Sequence, residues 1–101
     1  MKIPKTLNIF SHKYKIIIEP DFFESENTPG QLLQGETDLN DKIIRIRKAE
    51  NDIVFNTLLH EAIHAVCHEM ELYKGEHDEE LINRLTMGLI DTLVRNKMVR
   101  E

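Results

Sequence analysis

Two different hydrophobic periods divide the chain, and the change between them constrains the fold more than any other feature. Between Thr6 and Arg47, β-forming residues come in short runs bounded by turn residues, which indicates strands. From Asn51 onward, apolar residues recur at spacings of three and four, which indicates helices. A chain of 101 residues fits one domain. We therefore expect a single α+β domain over residues 1–101, with a small antiparallel sheet of about three strands followed by two helices.

The first half of the chain predicts one strand, a loop and a hairpin. Residues 13–19 form a run of β-formers, and residues 21–30 have the composition of a loop. Residues 32–37 and 42–47 flank a short polar turn, which is typical of a hairpin. In the second arm of this hairpin isoleucines alternate with arginines, which predicts a half-buried antiparallel strand. This arm is also a candidate edge strand for pairing with an extended peptide.

The second half predicts two amphipathic helices. The first begins near Asn51 or Asp52, and Gly75 is well placed to end it. Its predicted apolar stripe consists of Leu59, Ala62, Ile63, Val66 and Met70. The second helix runs from about Asp78 to Asn96, and its acidic first turn suits the helix dipole. Its predicted stripe consists of Leu81, Ile82, Leu85, Leu89 and Leu93.

Composition excludes several classes of function. The chain has 13 Lys and Arg against 18 Asp and Glu, for a net charge of −5. This balance argues against a nucleic-acid partner and against an anionic membrane surface. A single cysteine, Cys67, forms no internal disulfide, and residues 1–10 lack the apolar core of a signal peptide. We therefore expect a cytoplasmic protein that is a monomer or a small homo-oligomer.

Residues 60–64 carry the strongest chemical signal in the sequence. They read His-Glu-Ala-Ile-His, which matches the pattern H-E-x-x-H. Two histidines four residues apart on a helix share one face, so both imidazoles can bind one metal ion, typically zinc. Glu61 follows His60 directly and is a candidate general base for a metal-activated water. The alternative is a helix with two solvated histidines and a surface glutamate.

A catalytic zinc site needs a third protein ligand in addition to His60 and His64. The candidates at the start of the second helix are His77, Asp78, Glu79 and Glu80. A helical wheel favours Asp78 or Glu79 and disfavours Glu80. The alternative is that these acidic residues only stabilise the helix dipole. His68 lies about 12 Å from His60 along the first helix, too far for both to bind the same ion.

The segment TLLHEAIHAV, followed by a helix that begins EELINRL, resembles the ImmA/IrrE-type zincin metallopeptidases, especially their short phage and prophage relatives. In that family the downstream helix carries a glutamate ligand in an E-x-x-A-N-like pattern. Residues 79–83 match this pattern with Ile82 in place of alanine. The resemblance covers mainly residues 55–96. It implies a sheet before the first helix, Glu79 as third ligand, zinc as cofactor and a peptide or protein as substrate.

The sequence therefore predicts a zinc metallopeptidase whose general base is Glu61 and whose metal ligands are His60, His64 and Glu79. Tyr73 and His77 are candidates for stabilising the oxyanion. Cys67 fits a small core residue better than a ligand. Two other classes remain open: a domain in which zinc only ties the two helices together, and a small acidic protein that binds a partner without hydrolysing anything.

Overall fold

The computed structural model describes residues 2–20 and 34–99, and it places one sheet beneath a layer of helices. In chain order the elements are β1 (Thr6–Ile9), β2 (His12–Glu19), β3 (Gly35–Asp38), β4 (Ile43–Arg47), α1 (Asn51–Glu69), α2 (Tyr73–Glu76) and α3 (Glu79–Arg95). The predicted loop at residues 21–30 lies outside the described residues. The α+β class is confirmed.

The sheet differs from the prediction in strand number and in direction. Within residues 2–20 and 34–99 it has four strands in the order β1-β2-β4-β3, and β2 runs parallel to β4 while the other two pairs are antiparallel. The expectation of about three antiparallel strands is therefore wrong. Alternation shows that one face of a strand is buried, and strands of either direction place successive side chains on opposite faces, so alternation alone did not determine the direction of pairing. β1 was missed because it has four residues, of which only Ile9 is buried.

The predicted hairpin is confirmed as β3 and β4, which pair from Gly35 opposite Ile46 to Asp38 opposite Ile43. The expectation that β4 lies at an edge is wrong, because β4 lies between β2 and β3. β3 instead takes the edge of the described sheet. β4 is an inner strand because it pairs with β2 as well as with β3. The residues of β2 and β4 that pair are far apart in sequence, so local patterns do not predict this contact.

The core lies between the inner face of the sheet and α1. The strands contribute Ile9, Tyr14, Ile16, Ile44 and Ile46, and the helix contributes Val54, Leu58, Ala62 and Ala65. Ile44 and Ile46 alternate with Arg45 and Arg47 as predicted, so one face of β4 is buried and the other carries the charges. Burial of this apolar set is what fixes α1 across the sheet.

The end of α1 and its buried face differ from the prediction. The helix ends at Glu69, and Glu71 has a φ of 60°, so the chain leaves the helix before Gly75, which lies in α2. Met70 is exposed, whereas Val54 and Leu58 are buried. α1 packs against strands as well as against α2 and α3, so buried residues lie on more than one side of the helix. A single apolar stripe therefore does not predict which of its residues are buried.

α3 begins as predicted, since the Asp78 carboxylate accepts a hydrogen bond from the backbone N–H of Leu81 at 3.0 Å. Its predicted apolar stripe is only partly buried. Ile82 is fully buried and Thr86 is buried beside it. Three leucines of the stripe, Leu81, Leu85 and Leu89, remain 43–45% exposed. In the described part of the chain, no helix combines the length and the apolar character needed to cross a bilayer.

A cluster of polar side chains anchors the end of α1 to the sheet. The Glu69 carboxylate accepts hydrogen bonds from Lys42 Nζ at 2.9 Å and from the Tyr14 hydroxyl at 3.1 Å. His12 Nε2 lies 3.1 Å from its other oxygen. The hydrogen bond from Lys42 is the main cause that lowers the pKa of Glu69 below its ordinary value of 4.5.

Because of these contacts, we expect Glu69 to contribute to the loss of folding stability in acid. A carboxyl group whose pKa is lower in the folded state binds more protons when the chain is unfolded, so stability rises with pH. The contribution is complete above the ordinary pKa of 4.5 and is lost as the pH falls below it. We expect Glu69→Gln to flatten the pH dependence of the free energy of unfolding between about pH 5 and pH 3. Urea titrations of both proteins under identical metal conditions measure this, and equal slopes would refute the assignment.

Candidate metal centre

His60 and His64 lie one turn apart on α1 and their rings converge. The ring centroids are 5.0 Å apart, and the two Nε2 atoms are 3.3 Å apart. Two ligands at 2.0–2.1 Å from a tetrahedral zinc ion are separated by about 3.3 Å. The spacing of the two imidazole nitrogens therefore fits two corners of a zinc coordination sphere.

The first residue of α3 supplies a carboxylate to the same point. Glu79 Oε1 lies 2.8 Å from His64 Nε2, and Glu79 Oε2 lies 3.1 Å from His60 Nε2. One donor atom from each of the three residues falls within 4.8 Å of the others. The structure thus brings His60, His64 and Glu79 together, and a set of two imidazoles and one carboxylate is compatible with a metal ion.

The short helix α2 orients one of the two imidazoles. His64 Nδ1 lies 2.6 Å from the backbone carbonyl of Glu76. A carbonyl oxygen only accepts, so Nδ1 carries the proton and donates it in this hydrogen bond. In the neutral ring this leaves the lone pair on Nε2, the nitrogen that faces the other two donors and would bind a metal. No pattern in the sequence indicates this contact, because a backbone carbonyl has no residue signature.

Glu61 lies beside the three donors without belonging to them. Its side chain is buried, and Oε2 is 3.9 Å from His60 Nε2. The Thr37 hydroxyl on β3 donates a hydrogen bond to Glu61 Oε1 at 2.8 Å and lies 3.2 Å from the Glu61 carbonyl. Burial raises the pKa of Glu61, while the hydrogen bond from Thr37 and the nearby histidines oppose that rise. Sequence reasoning missed Thr37. It lies in a short polar strand, where nothing in the sequence marks it as different from a surface threonine.

β3 approaches α1 closely enough to need a glycine. A Cβ atom at Gly35 would lie 2.6 Å from a methyl carbon of Thr57 and 3.3 Å from Cγ of Glu61. Such a Cβ would also lie 3.1 Å from the backbone oxygen of Arg45, which cannot move aside easily. The missing side chain therefore lets the edge strand lie against the helix at the level of the candidate base.

The other sequence candidates have different surroundings. Asp78 caps α3, and Glu80 pairs with Arg84 at 2.9 Å. His77 is exposed and lies 3.5 Å from the buried Glu76 carboxylate, which also contacts His68 at 3.2 Å.

Cys67 is buried as expected, and that burial raises the pKa of its thiol. Tyr73 is exposed on α2. Together with Lys74, His77 and Asp78 it lines an open depression on one side of Glu79. The Glu79 side chain is 64% exposed, whereas those of His60 and His64 are 19% and 14% exposed, so solvent reaches the site mainly at Glu79.

Comparison of the chain with models of known families, with characterised proteins and with solved structures gives no match. The likeness to ImmA/IrrE-type zincins rests on the segments TLLHEAIHAV (residues 57–66) and EELINRL (residues 79–85) and stays an expectation from the sequence. The three converging donors and the neighbouring carboxylate are properties of this chain itself.

Proposed function

We propose that the protein is a zinc-dependent hydrolase of peptide bonds, a small zincin-like metallopeptidase. One observation carries the proposal. A buried carboxylate, Glu61, lies next to the three converging donors but outside the set, and Thr37 holds it there. A site that serves only to tie two helices together has no use for a buried acid held beside the metal, whereas a hydrolytic site needs a base at that point.

His60, His64 and Glu79 are the residues that would hold the metal. They supply two neutral nitrogens and one carboxylate oxygen, a donor set found in catalytic zinc sites of metallopeptidases. Three protein ligands leave a coordination position for a water or a substrate oxygen. A zinc ion bound there would lower the pKa of its water to about 7 and polarise the carbonyl of the scissile bond.

Glu61 takes the proton of the attacking water and passes it to the nitrogen of the leaving amine. The hydrogen bond from Thr37 to Glu61 Oε1 leaves Oε2 for the water and fixes the plane of the carboxylate. His64 is held by the Glu76 carbonyl, so the site is organised before substrate binds.

A peptide is the substrate that the surroundings favour. β3 carries Thr37 and lies at the edge of the described sheet. An extended peptide that adds to this edge would pair with the backbone of β3, the strand whose Thr37 contacts Glu61. The role expected of residues 42–47 thus moves to β3, because β4 has a neighbouring strand on each side.

The test is hydrolysis of a mixed peptide library by the zinc-loaded protein, read by mass spectrometry. We expect internal cleavages that a chelator abolishes and that added zinc restores. A protein that binds zinc with the three residues and yet produces no cleavage above a blank would favour the structural-metal function. A protein that binds no zinc would contradict both metal functions and favour an interaction protein.

A further inference from the structure

Glu76 is a buried carboxylate that the proposed chemistry does not use. It is the one buried residue in the connection between α1 and α3, residues 70–78, all of which the structure describes. The large apolar side chains of this connection are 50–54% exposed: Met70, Leu72 and Tyr73. Burial of apolar surface therefore contributes little to holding the connection in place, and polar contacts are needed to fix it.

Two histidines of α1 contact different parts of Glu76. His64 Nδ1 donates to the Glu76 backbone carbonyl at 2.6 Å, whereas His68 Nδ1 lies 3.2 Å from Oε2 of the Glu76 carboxylate. An ionised carboxylate only accepts hydrogen bonds, so the His68 ring donates from Nδ1. Because residues four apart share one face of a helix, His68 reaches the side chain of the same residue whose backbone orients His64.

His68 is the better shielded of the two imidazoles that face the Glu76 carboxylate. The other, His77, lies 3.5 Å away and its side chain is 79% exposed, compared with 32% for His68. Water competes with an exposed ion pair, so the contact from His77 is the weaker one. The His68 ring also lies edge-on to the ring of Tyr73 on α2, with 6.1 Å between the centroids. His68 thus makes the main polar link between the Glu76 side chain and α1.

We propose that His68 is a positioning residue of the metal centre. Its hydrogen bond to the Glu76 carboxylate fixes α2, and the Glu76 carbonyl in turn fixes the His64 ring. The inference rests on the metal centre of the proposed function but requires no hydrolysis. Loss of a hydrogen-bond partner of a metal-binding histidine typically costs about 10–100-fold in metal affinity. Because His68 acts through one further residue, we expect its loss to lie at the lower end of this range.

Zinc affinities of the full chain, measured by competition with a coloured chelator, test this role with two variants of His68. His68→Leu keeps an apolar side chain beside Tyr73 but has no donor, and we expect it to bind zinc about tenfold more weakly. His68→Asn places an amide N–H close to the position of Nδ1, and we expect its affinity to stay within about twofold of the wild type. Asparagine is the poorer helix former, so helix propensity would not explain this rescue.

A double variant tests whether His68 acts through Glu76. We expect His68→Leu with Glu76→Ala to bind zinc as tightly as Glu76→Ala alone, because the carboxylate that His68 holds is already absent. This comparison leaves no Glu76 carboxylate buried without a partner, so it stays valid even where His68→Leu alone folds poorly.

His12→Leu is the control for general destabilisation. It removes a histidine that contacts the shielded Glu69 carboxylate, away from the metal centre, and we expect zinc affinity to stay unchanged. An equal loss of affinity in His12→Leu and His68→Leu would assign the effect to folding alone and overturn the positioning role.

Long-range proton–nitrogen NMR of the metal-free full chain in mildly basic buffer reads the tautomer of His64 without zinc. We expect the proton on Nδ1 in the wild type and in His68→Asn, and a mixture of the two tautomers in His68→Leu. An unchanged tautomer in His68→Leu, or equal zinc affinities of His68→Leu and His68→Asn, would overturn the proposal. A further loss of affinity in the double variant, beyond that of Glu76→Ala, would do the same. A wild type that binds no zinc would contradict the proposed function instead, and the tautomer of His64 would still decide whether His68 acts on it.

Discussion

Glu61→Gln is expected to retain zinc and to lose peptide hydrolysis by about 10²–10⁴-fold. The amide has nearly the same shape as the carboxylate but cannot take a proton from water. The three donors, His60, His64 and Glu79, stay unchanged, so the metal affinity should stay close to that of the wild type. Zinc content is measured by elemental analysis and hydrolysis by the rate of peptide cleavage, both on the same preparation.

Glu69→Gln is the matched control for this variant. Glu69 lies on the same helix, two turns after Glu61, and its side chain is also largely covered. Its contacts are Lys42, Tyr14 and His12, none of which belongs to the metal centre. We expect it to be less stable than the wild type above about pH 5, with a smaller loss of stability on acidification, and to keep the rate of hydrolysis. Equal losses of hydrolysis in the two variants would show that Glu61 acts only through folding.

Glu79→Gln is expected to weaken zinc binding by more than about 100-fold, because residues that only support a ligand already account for 10–100-fold. Glu80→Gln is the control. It removes the neighbouring charge at the start of the same helix, and its carboxylate pairs with Arg84 rather than with the histidines. Competition with a coloured chelator measures both affinities. If the two variants lost similar affinity, Glu79 would be contributing through helix charge alone.

The sequence predicted the fold where local periodicity decides it. The hairpin of β3 and β4, the alternation around Ile44 and Ile46, and the start of α3 at Asp78 all follow from patterns within a few residues. The parallel pairing of β2 with β4 depends on contacts between residues about 28 positions apart. The exposed leucines of α3 were misassigned because a helical stripe shows which residues share a face and cannot show whether anything covers that face.

The candidate site also contains some residues that local sequence patterns predict and others that only the packing of the fold reveals. His60, Glu61 and His64 are set by helical spacing, which places both imidazoles on one face before any tertiary contact is known. The wheel left Asp78 and Glu79 as alternatives, since it cannot tell a capping carboxylate from a converging one. In the structure Asp78 caps α3 and Glu79 points at the histidines. Thr37 lies in another layer of the fold, so only the packing of β3 on α1 reveals it.

X-ray absorption spectroscopy at the zinc edge tests the central claim most directly. The protein is loaded with one equivalent of zinc, and the spectrum reports the type and distance of the ligand atoms. The account predicts two imidazole nitrogens and two oxygens, all at about 2.0–2.2 Å, with the second oxygen from water. In His64→Ala the imidazole contribution should fall from two nitrogens to one. A sulfur ligand at about 2.3 Å, which only Cys67 or a methionine could supply, or a spectrum of fully hydrated zinc, would contradict it.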